Sequence, residues 1–126
     1  MAMSKKEEFL RADYLVEEGK VSKNYNKETA INYLIVAVDV INEEEKKLEQ
    51  LNKAKKSTIF INCIAQIYQE IYSLPVKENF YNLNRTIGRD LVNYGVTKNE
   101  FEKLKKSVNE YINMLTNLNN RISKCL

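Results

Sequence analysis

The stretch from Lys27 to Leu74 limits most what this chain can become. It contains neither glycine nor proline, and it holds the two most apolar runs of the sequence, INYLIVAVDVI at 31–41 and IFINCIAQIY at 59–68. Short runs rich in Ile and Val suit a buried strand as well as a buried helix, and periodicity alone does not separate the two. The context favours helix, because the first run flows without a break into EEEKKLEQLNKAKK, nearly all strong helix formers. Asn26 stands where an N-cap belongs, and Glu28 lies in the first turn, where its charge complements the helix dipole. Ala30, Leu34, Ala37, Ile41, Leu48 and Leu51 alternate at spacings of four and three, with Glu44 counted as an interruption, and so make one helical stripe. Ile31, Ile35 and Val38 form a second stripe, and Tyr33, Val36 and Val40 a third. The first turns are therefore apolar nearly all round, as in a helix enclosed by others.

The second run carries the stripe Phe60, Ile64, Ile67, Ile71 and Leu74, widened by Ile61, Ala65, Tyr68 and Tyr72. Pro75 is read as its stop, since proline disfavours the α conformation at the residue before it. This stripe is out of step with the one that ends at Leu51. A hairpin turning near 53–58, with Ser57 as the new N-cap, accounts for the shift. The alternative is one continuous helix of about 70 Å, at about 1.5 Å per residue.

Other local signals complete the set of helices. Ser4 and Glu7 form a capping box opening a first helix at residue 5, with Phe9, Leu10, Tyr14, Leu15 and Val16 on its apolar side and Gly19 as its end. Val76, Phe80, Leu83, Ile87, Leu91 and Tyr94 mark a fourth helix closed by Gly95. Gly88 inside it costs about 1 kcal/mol against alanine, which implies close approach of another backbone or a kink. Thr97 with Glu100 makes a second capping box, and Val96 with Phe101 a hydrophobic staple. The last helix carries Phe101, Leu104, Val108, Tyr111, Leu115, Leu118, Ile122 and Cys125 in unbroken alternation of three and four. Its flanking positions do not alternate in charge, so it reads as a bundle helix, with an intermolecular coiled coil as the alternative. The fold class is all-α: one domain over 1–126, an up-and-down bundle of about five helices with the hairpin 27–74 at its centre. Met1 to Met3 is expected to lie outside the fold.

Hydrophobic residues at 44% and charged residues at 29% are ordinary for a globular chain. A net charge of +3 does not by itself argue for nucleic acid. No apolar run approaches the roughly 18 residues of a membrane span, and the first residues lack the apolar core of a signal peptide. A cytoplasmic protein without membrane insertion is the expectation. The abundance of Asn, Lys, Ile and Tyr fits an AT-rich genome. Cys63 and Cys125 are read as two reduced packing cysteines, with a Cys63–Cys125 disulfide as the alternative.

The chain has no histidine. Ser-His-Asp and Cys-His nucleophile systems cannot be built from it, nor can the usual zinc ligand sets or a di-iron bundle. It has no phosphate loop and no GxGxxG. No enzyme, cofactor or metal site is expected. Asp39 interrupts an apolar run and is therefore read as partly buried, with Arg85 or Arg89 as its partner, because an unpaired buried charge is very costly. Lys53, Lys55 and Lys56 at the hairpin turn, with Lys46 and Lys47 upstream and Arg85 and Arg89 on one face of the fourth helix, are candidate phosphate contacts. Lys103, Lys105 and Lys106 add basic charge to the last helix.

Two functions follow as expectations. The first is a non-enzymatic protein–protein interaction module, such as a small regulator, inhibitor, immunity protein or complex subunit. It would bind another protein, or a second copy of itself, through an apolar helix face. The alternative is a nucleic-acid-associated protein, which requires the lysines of 46–56 to converge with Arg85 and Arg89 on one face. The interleaved Glu43, Glu44, Glu45 and Glu49 count against it.

Overall fold

The computed structural model of this chain describes residues 27–54 and 57–126. The first helix expected from residue 5, its Ser4–Glu7 box, the Asn26 cap, Lys55 and Lys56 lie outside the described residues. Four helices follow one another, with no strand among the described residues. They are α1 (Lys27–Lys53), α2 (Thr58–Ile71), a composite α3 and α4 (Lys98–Ser123). The composite runs as α-helix over Leu74–Leu83, as a π turn over Asn84–Gly88 and as α-helix again over Arg89–Asn93.

Local chemistry sets most of the boundaries. α1 and α2 are separate helices, not one long rod. Ser57 has extended backbone, and its side chain accepts from the Phe60 amide at 3.1 Å, as the hairpin reading requires. α2 then stops earlier than the sequence suggests. Tyr72 and Ser73 are extended, Leu74 already belongs to α3, and Pro75 sits in its first turn. Proline there starts a helix instead of ending one, because its missing N–H falls among donors that have no intrahelical partner anyway. The Ser73 amide finds a partner in Met114 Sδ at 3.2 Å. α3 ends on Gly95, whose φ of +85° places it in the left-handed region, with the amides of Tyr94 and Gly95 both donating to the Asp90 carbonyl. α4 opens with the Thr97–Glu100 capping box, the Glu100 amide donating to Thr97 Oγ1 at 3.2 Å.

Cross-helix contacts fix the directions. Tyr33 packs edge-on against Phe101, and Glu44 and Glu45 lie beside Asn119 and Tyr111, so α1 and α4 run parallel. Glu70 pairs with Arg121, Ser73 meets Met114 and Phe80 stacks on Tyr111, so α2 and α3 run the opposite way. The architecture is up, down, up, with α2 and α3 in tandem as one descending arm broken at Tyr72–Ser73. Among the described residues the helix on which the others pack is α4, whereas α1 and α2 touch each other little. The hairpin of 27–74 therefore exists but is not the centre. The reason lies in α4 itself. Beyond its expected stripe it also buries Ser107, Ile112, Met114 and Asn119, so that its buried arc spans about 160° at about 100° per residue, wider than that of α1. Fully buried side chains such as Leu104, Ile112 and Leu118 each contribute about 1.5–3 kcal/mol.

Gly88 is explained by packing. A Cβ there would stand 3.2 Å from Leu34 Cδ2 and 3.0 Å from Asn84 Oδ1. The close approach comes from a side chain of α1, not from a backbone, and it coincides with the π turn. The two cysteines correct the sequence reading. A disulfide joins Cys63 to Cys125, their Cα atoms 6.7 Å apart. Antiparallel packing of α2 along the last turns of α4 brings them together, which neither cysteine's own surroundings in the sequence reveal. No helix among the described residues is long and apolar enough to cross a membrane.

Candidate binding cleft

Because α1 and α2 diverge while both lean on α4, a cleft of about 430 Å³ opens between them. From α1, Glu45, Leu48, Glu49 and Asn52 face it at helical spacing, and from α2, Tyr68 and Tyr72. Tyr111 and Leu115 of α4 form part of the lining, with Lys53 and Lys77 beside them. The tyrosines of α2 come from the flank that widened its stripe in the sequence. Ile61 and Ala65, on the same flank, are exposed and lead into the cleft.

Glu45 organises one end. Its Oε2 accepts from the Tyr81 hydroxyl at 2.8 Å and from the Tyr111 hydroxyl at 2.9 Å. Phe80 stacks on the Tyr111 ring at 5.2 Å, and Tyr81 meets it edge-on at 5.9 Å. Burial, and then the Glu45 carboxylate, push both phenols above the ordinary tyrosine range. Both stay protonated at neutral pH and act as hydrogen-bond donors, not as bases or nucleophiles. At the other end Asn52 Nδ2 donates to the Tyr68 hydroxyl at 2.8 Å, while Asn52 Oδ1 is buried without a hydrogen-bond partner. Lys53 pairs with Glu49 at 3.0 Å in an exposed i,i+4 contact, worth at most about 1 kcal/mol.

The sequence-derived candidates fall in other places. Asp39 is exposed, not buried. The carboxylate that α1 does bury is Glu44, 4% exposed, which receives Asn119 Nδ2 at 2.7 Å; the same nitrogen reaches the Glu44 carbonyl at 3.0 Å. Arg89 pairs with Asp90 of its own helix, and Arg85 donates to Asn82 Oδ1. Arg85 and Arg89 flank Gly88, which lies against Leu34. Lys53 lies nineteen residues further along α1, about 28 Å at 1.5 Å per residue. Lys53 therefore does not share a face with Arg85 and Arg89, while Lys55 and Lys56 lie outside the described residues. The buried Glu44 and the Glu45–Tyr81–Tyr111 cluster were missed. For Glu44 the signal was present, because it continues the stripe of Ile41 and Leu48 at spacings of three and four.

Among the described residues, no group of three His, Cys, Asp or Glu side chains comes together in a way that could hold a metal ion. Comparison of the chain with protein-family models, with curated proteins and with solved structures finds no match.

Proposed function

We propose that this chain is a non-enzymatic protein–protein interaction module, a small regulator or complex subunit, which seats an apolar segment of a partner protein in the cleft between α1 and α2. The observation that carries this reading is the continuous apolar flank of α2. Ile61, 47% exposed, and Ala65 run into Tyr68 and Tyr72 and on to Leu48 and Leu115 at the cleft. Ile59, 83% exposed, adds to the apolar surface of the same helix. Covering Ile61, about half of which is already buried, contributes about half of the roughly 1.5–3 kcal/mol that a fully exposed isoleucine would. Tyrosine walls suit an interface, offering a large apolar face with a polar tip. The raised phenols of Tyr81 and Tyr111 argue against proton-transfer chemistry at neutral pH. A cytoplasmic location belongs to the same reading, and it requires the Cys63–Cys125 bridge to persist where thiols are ordinarily kept reduced.

The test compares immobilised wild-type chain with Ile61→Asp, Tyr68→Ala and, as a control on another face, Ile35→Asp. A partner retained by wild type and by Ile35→Asp, and lost from both cleft variants, supports the assignment. A partner held equally by Ile61→Asp overturns it. Light scattering on the same variants shows whether the occupant is a second copy of the chain.

A further inference from the structure

A second concavity, of about 350 Å³, lies in the groove between α3 and α4. Its α4 wall carries Lys103, Lys106, Ser107 and Glu110, at i, i+3, i+4 and i+7 of one helix face, and Asn79 and Leu83 of α3 stand opposite. No residue of α1 or α2 contributes, so it is distinct from the cleft. Ser107 is 2% exposed, and its hydroxyl has no hydrogen-bond partner. Buried polar atoms nearly always find a partner, and a helical serine ordinarily turns back to a carbonyl one turn earlier. Ser107 lines the groove beside two exposed ammonium groups, and neither Lys103 nor Lys106 pairs with a carboxylate among the described residues.

We propose that this groove binds a single phosphate group. The Ser107 hydroxyl, turned into the groove, and the two lysines offer donors from one wall and the Asn79 amide from the other, which suits a tetrahedral anion better than a planar carboxylate. Lysine serves phosphate as a point charge and needs no fixed fork geometry. Glu110, one turn beyond Lys106, opposes a second negative charge, so the site favours an isolated phosphate over a polyphosphate. The phosphate comes either as the free ion or on a phosphorylated side chain; the recognising chemistry is the same. The inference is independent of what fills the cleft between α1 and α2.

The experiment is a titration of the backbone and side-chain amide NMR spectrum with inorganic phosphate at constant ionic strength, sodium chloride serving as control. Saturable shifts are expected at the amides of residues 103–110 and at the Asn79 side chain. Ser107→Ala should weaken binding about tenfold, the worth of a hydrogen bond to a charged group. Lys103→Gln with Lys106→Gln should weaken it at least as much, while Glu110→Gln should tighten it. Thermal melts of each variant establish that the fold is retained. A parallel titration with a phosphoserine peptide identifies the source: tighter binding than inorganic phosphate points to a phosphorylated side chain, equal or weaker binding to the free ion. Shifts that chloride reproduces, that spread over all surface lysines, or that survive Ser107→Ala unchanged overturn the proposal.

Discussion

Replacing Asn119 with leucine tests the most demanding contact in the core. Asn119 is 2% exposed, and its Nδ2 serves both the Glu44 carboxylate and the Glu44 carbonyl. Leucine fills a similar volume and removes both bonds, leaving the Glu44 carboxylate with one donor fewer at a site almost closed to water. A hydrogen bond to a charged group is worth about 1.5–3 kcal/mol and one to a carbonyl about 1 kcal/mol. Asn119 Oδ1 is itself buried without a partner, and its removal returns about 1 kcal/mol. The net loss is about 2.5 kcal/mol. With an unfolding entropy of about 2.1 cal/mol/K per residue, a chain of 126 residues should melt about 9 °C lower. Calorimetry and urea unfolding at neutral pH measure both quantities. Glu44→Leu combined with Asn119→Leu should return stability to within about 1 kcal/mol of wild type, because an apolar pair at these positions carries no desolvated charge. A single variant that shifts stability by less than about 0.5 kcal/mol would refute the reasoning, an amount ordinary for an inconsequential surface change. A double variant no better than the single would refute it equally.

Two other outcomes follow from the same contacts. The Cys63–Cys125 bridge closes a loop with a sequence separation of 62, so reduction, or Cys63→Ser, should cost about 4 kcal/mol by the chain-entropy argument. Urea midpoints with and without reductant check this, and two thiols titrating before reduction would contradict it. Tyr81 and Tyr111 have folded values raised above the tyrosine value of about 10, chiefly by burial and then by Glu45. Their contribution to stability is full below that value and is lost as pH rises through the folded values. The unfolding midpoint should therefore show no loss from these two groups through neutral pH and should fall in alkali, less steeply in Tyr111→Phe. Ionisation of all eight tyrosines near the ordinary value in the folded chain would refute it.

What could be read from the sequence was whatever the chain decides locally. Ser57, the Thr97–Glu100 box, Gly95 and the stripe from Phe101 to Ile122 act through a residue's immediate neighbours and the 3.6-residue period, and each stands where the spacing puts it. Facts that depend on which helix lies beside which were hidden. The pairing of Cys63 with Cys125 needs α2 to run antiparallel to α4. Pro75 as a helix start needs the break at Tyr72–Ser73, where the Ser73 amide is taken up by Met114 from across the bundle. The prominence of 27–74 came from its hydrophobicity, yet the central helix is the one that buries the most residues, and α4 does so with Ser107 and Asn119 among them. Average apolarity is a poor guide to centrality when polar residues on the inner face are buried too.

The glutamate run at 43–45 shows how far register can outweigh composition. Three adjacent acidic residues invite reading as a solvated face. Successive residues on an α-helix point about 100° apart, so such a run spans about 200° of the circumference and cannot share one environment on a helix packed along one side. Glu43 is exposed, Glu44 is 4% exposed and held by Asn119, and Glu45 is half-buried and collects two tyrosine hydroxyls. The phase of Ala37, Ile41 and Leu48 already places Glu44 on the inner stripe. The same phase puts Asp39 outside it, five residues before Glu44 and nearly 500° around the axis at about 100° per residue. Burial of a carboxylate in α1 therefore follows its angle relative to the stripe, not how conspicuously it interrupts a run of Ile and Val.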